Sequence, residues 1–258
     1  VDVEDARHGC IAKFDLVGFD PRGIVRSTAY RCFGNPMQWE PYFTPFPFPF
    51  TSAEEALWIT ADRYLDAACD QRGGAIGDHM STANVARDLD LLRQAVGDEQ
   101  LTYAGYSYGS FLGNTYANLF PDKVRAVIVD GVLDPIAWTT GAPGQEGIPF
   151  STRLRSDAGA MATLNEFFRL CDAGVCAFGP DSADHFADLV DEVKTDPTVI
   201  DYTNLIGITL RAMYDSASWE GFAALLAAIE SAEGSSATLQ ARIKEFQVRP
   251  MYIAKRGF

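Results

Sequence analysis

Positive charge is scarce in this sequence. Lysine and arginine number 21 of 258 residues against 35 aspartates and glutamates, a net charge of −14. Such a chain lacks the basic footprint that phosphate backbones and anionic lipid surfaces require, so neither nucleic acid nor a membrane surface is expected as a partner. No apolar run approaches the ~18 residues of a membrane span. The opening VDVEDARHGC has neither the basic nor the apolar region of a signal peptide. Histidines number only three (His8, His79 and His185), and the five cysteines contain no CxxC pair. Their spacing is not that of a zinc site, so no metal is expected. No GxGxxG follows Phe19 and no Walker A pattern occurs, which argues against dinucleotide and nucleotide chemistry; no cofactor is expected.

Hydrophobic residues make up 47% of the chain, enough for a sizeable core. The cysteines offer two pairings. Cys171 and Cys176 flank the turn DAGV and can close a small disulfide loop. Cys32 and Cys69 can pair across the Pro/Phe-rich segment between them, leaving Cys10 odd. Two disulfides suit an oxidising compartment; the other reading is reduced, partly buried thiols.

FDLVGF, Phe14 to Phe19, is a short apolar run before the turn DPRG and reads as a buried strand. YFTPFPFPF, Tyr42 to Phe50, can be neither helix nor central strand, because each proline lacks a donor. It reads as an extended surface crossing whose rings pack on the body. In TSAEEALWITADRYLDAAC, Thr51 or Ser52 can cap a helix, with Glu54 or Glu55 as the capping-box acid. Ala56, Leu57, Ile59, Tyr64, Leu65 and Ala68 recur at helical spacing. A second helix is expected from near Ser81 or Thr82 to Gly97, with Val85, Leu89, Leu92 and Val96 on one face. LTYAG and KVRAVIVDGV read as strands on either side of a helix. The alternation predicts parallel βαβ units. After Asp134-Pro135 the loop Thr139 to Phe150 has no periodicity. Beyond it only helices are expected, near 153–171, 181–194, 203–214, 218–232 and 236–247. The chain thus divides into an α/β part, 1–138, and a helical insertion or cap, 139–258.

Gly105-Tyr106-Ser107-Tyr108-Gly109 fits G-x-S-x-G, following an apolar strand and opening a helix. In such an elbow the serine sits on a strained strand-to-helix turn. Glycines two before and two after leave room where strand and helix backbones nearly touch. The helix start offers free N–H groups and positive potential beside the hydroxyl. The Tyr108 N–H is the expected first oxyanion donor, a contact typically worth ~3 kcal/mol in the transition state. A serine in an ordinary glycine-rich turn would need neither both glycines nor both flanking elements.

GFDPRG, TANVARDLDLLRQAVGDEQLTYAGYSYGSFLGNTYANLFPDKVRAVIVDGVLDP and MYDSASWEGFAALLAAIE resemble the secreted tripeptidyl-aminopeptidase and proline-iminopeptidase-like serine peptidases of the α/β-hydrolase superfamily. The resemblance runs from about Phe14 to near the end and is densest over Ser81–Pro135. It implies an α/β-hydrolase core with a helical cap, secretion, a peptide substrate, Ser107 as nucleophile and Tyr108 as an oxyanion donor. The family usually reads DxRGxGxS where this chain has DPRGIVRS, with Val25 in place of the second glycine. Arg22 is expected to pair with acids beneath the site, and Asp88 and Asp90 to be solvated or paired to such an arginine.

A nucleophilic serine needs a base and an orienting acid. The family carries both after two further strands beyond the cap, and a second oxyanion donor in a glycine-rich loop before this stretch. Neither is seen here, so the sheet is expected to be incomplete and the chain to be the middle of a longer enzyme. Its partner would then be its own remaining fold. Within the chain, Ser107, Asp134 and His185 have the required order. His185, however, reads as a surface or capping residue of an amphipathic helix, and His79 as a loop residue. The expectation is an exopeptidase acting through an acyl-serine. An esterase or lipase is the nearest alternative, and an inactive binding fragment the other.

Overall fold

The computed structural model describes residues 14–231, Leu239 and 241–244. His8, Cys10 and most of the expected helix 236–247 lie outside them, although Leu239 and 241–244 are helical. The longer helices are α1 (Ser52–Arg72), α2 (Thr82–Ala95), α3 (Tyr108–Leu119), α4 (Ser156–Ala173), α5 (Ser182–Thr195), α6 (Tyr202–Ala212) and α7 (Trp219–Glu230). The strands are β1 (Leu101–Tyr106) and β2 (Val124–Asp130). Two compact units result. One takes the chain up to Tyr42 with Asp62–Asp134; the other takes Phe43–Ala61 with the chain from Pro135.

In the first unit β1 and β2 pair in parallel, from Leu101 opposite Val124 to Tyr106 opposite Asp130, and α3 is the crossover between them. Apolar residues of α2 (Val85, Ala86, Leu89), of β1 (Leu101) and of α3 (Leu112, Tyr116) form its core. α2 begins as its sequence dictates: the Ser81 side chain accepts from the Asn84 N–H. Beneath it, Arg22 reaches Asp88 with two hydrogen bonds of 2.7 Å and donates to the His79 carbonyl at 2.9 Å, fastening the DPRG turn to the helix. Asp90 instead takes Arg93 at 2.8 Å and the Tyr116 hydroxyl at 2.9 Å. Cys32 and Cys69 are joined by a disulfide.

FDLVGF is not a strand. A strand exists only through ladder partners, and among the described residues this segment has none. Phe14, Leu16 and Val17 are therefore exposed, and the Arg125 guanidinium lies 5.4 Å from the Phe14 ring. Among the described residues no strand follows β2.

In the second unit α4, α5, α6 and α7 bury their apolar faces on one another, around Phe167, Leu189, Leu205, Ile208, Phe222 and Leu226. The Cys171–Cys176 disulfide closes the end of α4. The Pro/Phe segment lies on α6: Phe48 and Phe50 meet the Tyr202 ring, at 6.2 Å and 4.5 Å between centroids. α1 starts with a capping box in which the Glu54 carboxylate accepts from the Thr51 N–H at 2.8 Å. Leu57 and Ile59, expected inward, are exposed; the inward face of this turn is instead that of Ala61 and of Trp58, whose ring N–H donates to Thr44 at 2.9 Å. The aperiodic 139–150 loop is organised by one side chain. The Arg153 guanidinium donates to the carbonyls of Ala137, Thr139, Gln145 and Ile148.

Candidate active site

Strand β1 ends at Tyr106 and α3 begins at Tyr108, so the chain turns on the single residue Ser107. Its φ of 53° and ψ of −121° are conformations an L residue adopts only under constraint, at a cost of about 1–3 kcal/mol. The constraint is visible. The Ser107 N–H donates to the Asp130 carbonyl at 2.9 Å, and the Ser107 carbonyl accepts from the Ser110 N–H at 2.8 Å.

Gly105 and Gly109 make the turn feasible. A Cβ on Gly105 would fall 2.5 Å from Tyr103 Cε1 and collide with the Gly109 carbonyl. A Cβ on Gly109 would lie 3.3 Å from the Tyr103 hydroxyl. Tyr103 fills the space these glycines leave and donates to the Gly109 carbonyl at 2.9 Å. Burial, and then the nearby Tyr108, push the Tyr103 phenol above its ordinary pKa, so it stays a protonated donor at neutral pH.

Ser107 occupies the N-cap position of α3, yet its side chain makes no capping hydrogen bond, in contrast to Ser81 at the start of α2. A capping serine spends its oxygen on the N–H groups of the first turn. Here the residue is exposed and, among the described residues, its hydroxyl has no hydrogen-bond partner. The N–H groups of Tyr108 and Gly109 open a helix and have no intrahelical acceptor. The Tyr108 hydroxyl pairs with that of Thr82 at 2.8 Å. An exposed hydroxyl at the positive end of a helix, beside free N–H groups, is suited to attack a carbonyl and to hold the resulting oxyanion.

Residues 4–155 match the model of the α/β-hydrolase fold family. The chain belongs to the α/β-hydrolase fold family. Among relatives, it is 34% identical over 229 residues to "Serine protease Hip1" of Mycobacterium tuberculosis, covering 81% of this chain and 42% of that protein. It is 40% identical over 122 residues to the "Tripeptidyl aminopeptidase" of Streptomyces lividans, covering 47% of this chain and 22% of that protein. It is 32% identical over 235 residues to "Carboxylesterase B" of Mycobacterium tuberculosis, covering 85% of this chain and 41% of that protein. The chain spans less than half the length of these α/β-hydrolase relatives.

The remaining candidates are placed as follows. Asp134 is exposed, just beyond β2, and takes part in an interaction of its own. His185, in the first turn of α5, directs Nδ1 to Glu230 Oε1 at 2.8 Å and meets the Phe178 ring edge-on, 5.8 Å between centroids. The carboxylate on its Nδ1 is thus Glu230. His79 contributes its backbone carbonyl to Arg22 and Asn84. Among the described residues no hydrogen bond joins Ser107 to His79. No group of three or more His, Cys, Asp and Glu residues among them is arranged to hold a metal ion, and none of their helices is long and apolar enough to cross a membrane.

Sequence reasoning missed Tyr103, Thr82 and Ser110, which surround the turn. The signal for Ser110 was a polar residue on the face of the helix that buries Leu112, Gly113 and Tyr116. The partner that gives it meaning lies 23 residues away and is not legible locally.

Proposed function

We propose that this chain carries the nucleophile-bearing part of a secreted serine peptidase that releases short peptides from the N-termini of its substrates. The observation that carries the proposal is the exposed Ser107 hydroxyl, unspent on capping, at a positive-φ turn between a parallel strand and a helix. A base takes the Ser107 hydroxyl proton as Oγ attacks the scissile carbonyl and forms a C–O bond, and the Tyr108 N–H holds the oxyanion. As the C–N bond breaks, the base returns its proton to the leaving amine, and water then releases the acyl group.

We assign the base and its acid to parts of the protein outside the described residues, where the resembling peptidases carry them, after two further strands beyond the cap. In this reading residues 139–258, which hold α4 to α7, are the helical cap, and residues 1–138 are part of the hydrolase core. The names of the first two relatives support a peptide substrate, and two disulfides support an oxidising, extracellular setting. The net charge of −14 speaks against a nucleic-acid partner. The match to Carboxylesterase B favours one alternative, ester hydrolysis by the same serine.

A fluorophosphonate probe tests the assignment. Carried out on the whole protein, base included, labelling that disappears in Ser107→Ala supports it, whereas a whole protein inert to the probe favours a binding module. Turnover of a tripeptide anilide against a p-nitrophenyl ester then separates peptidase from esterase.

A further inference from the structure

Ser110 lies in the first turn of α3 and is 2% exposed. Its hydroxyl donates to the Ser107 carbonyl at 2.7 Å. A helical serine often bonds back to a carbonyl one turn earlier, and a purely local role would end there. This hydroxyl also accepts the N–H of Leu133 at 2.9 Å, from the segment after β2. The Ser107 N–H, for its part, donates to the Asp130 carbonyl at 2.9 Å. Both sides of the Ser107 backbone are therefore fastened to one stretch of chain, directly at Asp130 and through Ser110 at Leu133. Between these anchors Gly131, at φ 60°, comes so near that a Cβ there would lie 3.5 Å from the Ser107 nitrogen.

We propose that Ser110 is a positioning residue for the Ser107 nucleophile, bridging its carbonyl to Leu133 and holding the turn in the conformation that presents the hydroxyl. The proposal rests on Ser107 being that nucleophile. A strained φ persists only where neighbours over-determine it, and a reacting atom must be held to within about 0.5 Å. Without the Ser110 hydroxyl the Ser107 carbonyl keeps only the Ser110 N–H, and the Leu133 N–H loses its acceptor. The turn then relaxes and the free N–H of Tyr108 loses its aim. The same bridge sets the backbone next to Asp134.

The test compares the whole protein, base included, with its Ser110→Ala and Ser110→Thr variants. It measures the rate of fluorophosphonate labelling, the hydrogen exchange of the Leu133 amide and the unfolding midpoint. Ser110→Ala is expected to slow labelling roughly tenfold to a hundredfold and to speed Leu133 exchange about tenfold, with the midpoint little changed. Ser110→Thr, which keeps the hydroxyl, restores both. Wild-type labelling in Ser110→Ala overturns the proposal, and so does slowed labelling with unaltered Leu133 exchange. If the wild-type whole protein is not labelled, the nucleophile assignment fails; unaltered exchange in Ser110→Ala would then remove the bridge as well.

Discussion

The phenol of Tyr103 donates to the carbonyl of Gly109 across 2.9 Å, tying the strand before Ser107 to the first turn of the helix after it. The same ring occupies the volume that a side chain on Gly105 or Gly113 would need, with Cβ positions only 2.5 Å and 2.7 Å from Tyr103 Cε1. Gly105→Ala is therefore expected to destabilise the chain by about 1–3 kcal/mol, the usual cost of overpacking. It should also suppress probe labelling of Ser107, since relief requires moving the Gly109 carbonyl. Tyr103→Phe removes only the hydrogen bond and should cost about 1 kcal/mol. Urea unfolding ranks the two; a tolerated Gly105→Ala would show that the strand and helix are not in forced contact.

The reach of the sequence differed between these elements. The strand–turn–helix corner was legible because its signals, a strand, two glycines, a serine and a helix, lie within Leu101–Leu119, although its anchors at Asp130 and Leu133 do not. The four helices from Ser156 to Glu230 were legible because each carries its own apolar stripe. FDLVGF was misread because an apolar run becomes a strand only beside a partner, and composition does not supply one. Ser110 escaped notice because its second hydrogen bond crosses 23 residues.

Val25 stands where the resembling peptidases carry glycine, and it pays conformationally for the exchange. Its φ is 35°, a left-handed value that a β-branched residue seldom adopts. It is also 68% exposed, so little packing is at stake. Val25→Gly should therefore stabilise the chain by about 1 kcal/mol, the relieved strain less the extra entropy of the unfolded glycine. A lower urea midpoint for Val25→Gly would show that the loop does not hold this φ in solution.

Acid should weaken the first unit through Asp90. Its carboxylate is held below the ordinary aspartate range, chiefly by the hydrogen bond from Arg93; burial opposes this, and Tyr116 and Gln94 add to the lowering. A depressed folded pKa means that the unfolded chain takes up the proton more readily. The stabilisation is then complete above the unfolded value of about 3.9 and is lost as pH falls through the lower folded value. Asp90→Asn should be less stable than the wild type near about pH 7. That gap should narrow as pH falls below the unfolded value of about 3.9 and the native carboxylate is itself neutralised. A gap independent of pH, measured by urea unfolding across that range, would place the effect in packing rather than charge.

The two disulfides should contribute unequally, because each acts mainly by restricting the unfolded chain. Cys32 and Cys69 are separated by 37 positions, Cys171 and Cys176 by only 5. Loop-closure entropy gives about 4 kcal/mol for the first and about 2 kcal/mol for the second. Each pair lies within a single unit, so each loss should appear in the unfolding of its own part. The Cys32→Ala/Cys69→Ala double variant should loosen the unit that carries Ser107 and lower the temperature at which probe labelling ceases. Cys171→Ala/Cys176→Ala should leave that temperature nearly unchanged while lowering the helical unfolding transition. Equal effects of both pairs on labelling would mean that the helices and the elbow unfold together, and that loop length does not set the order.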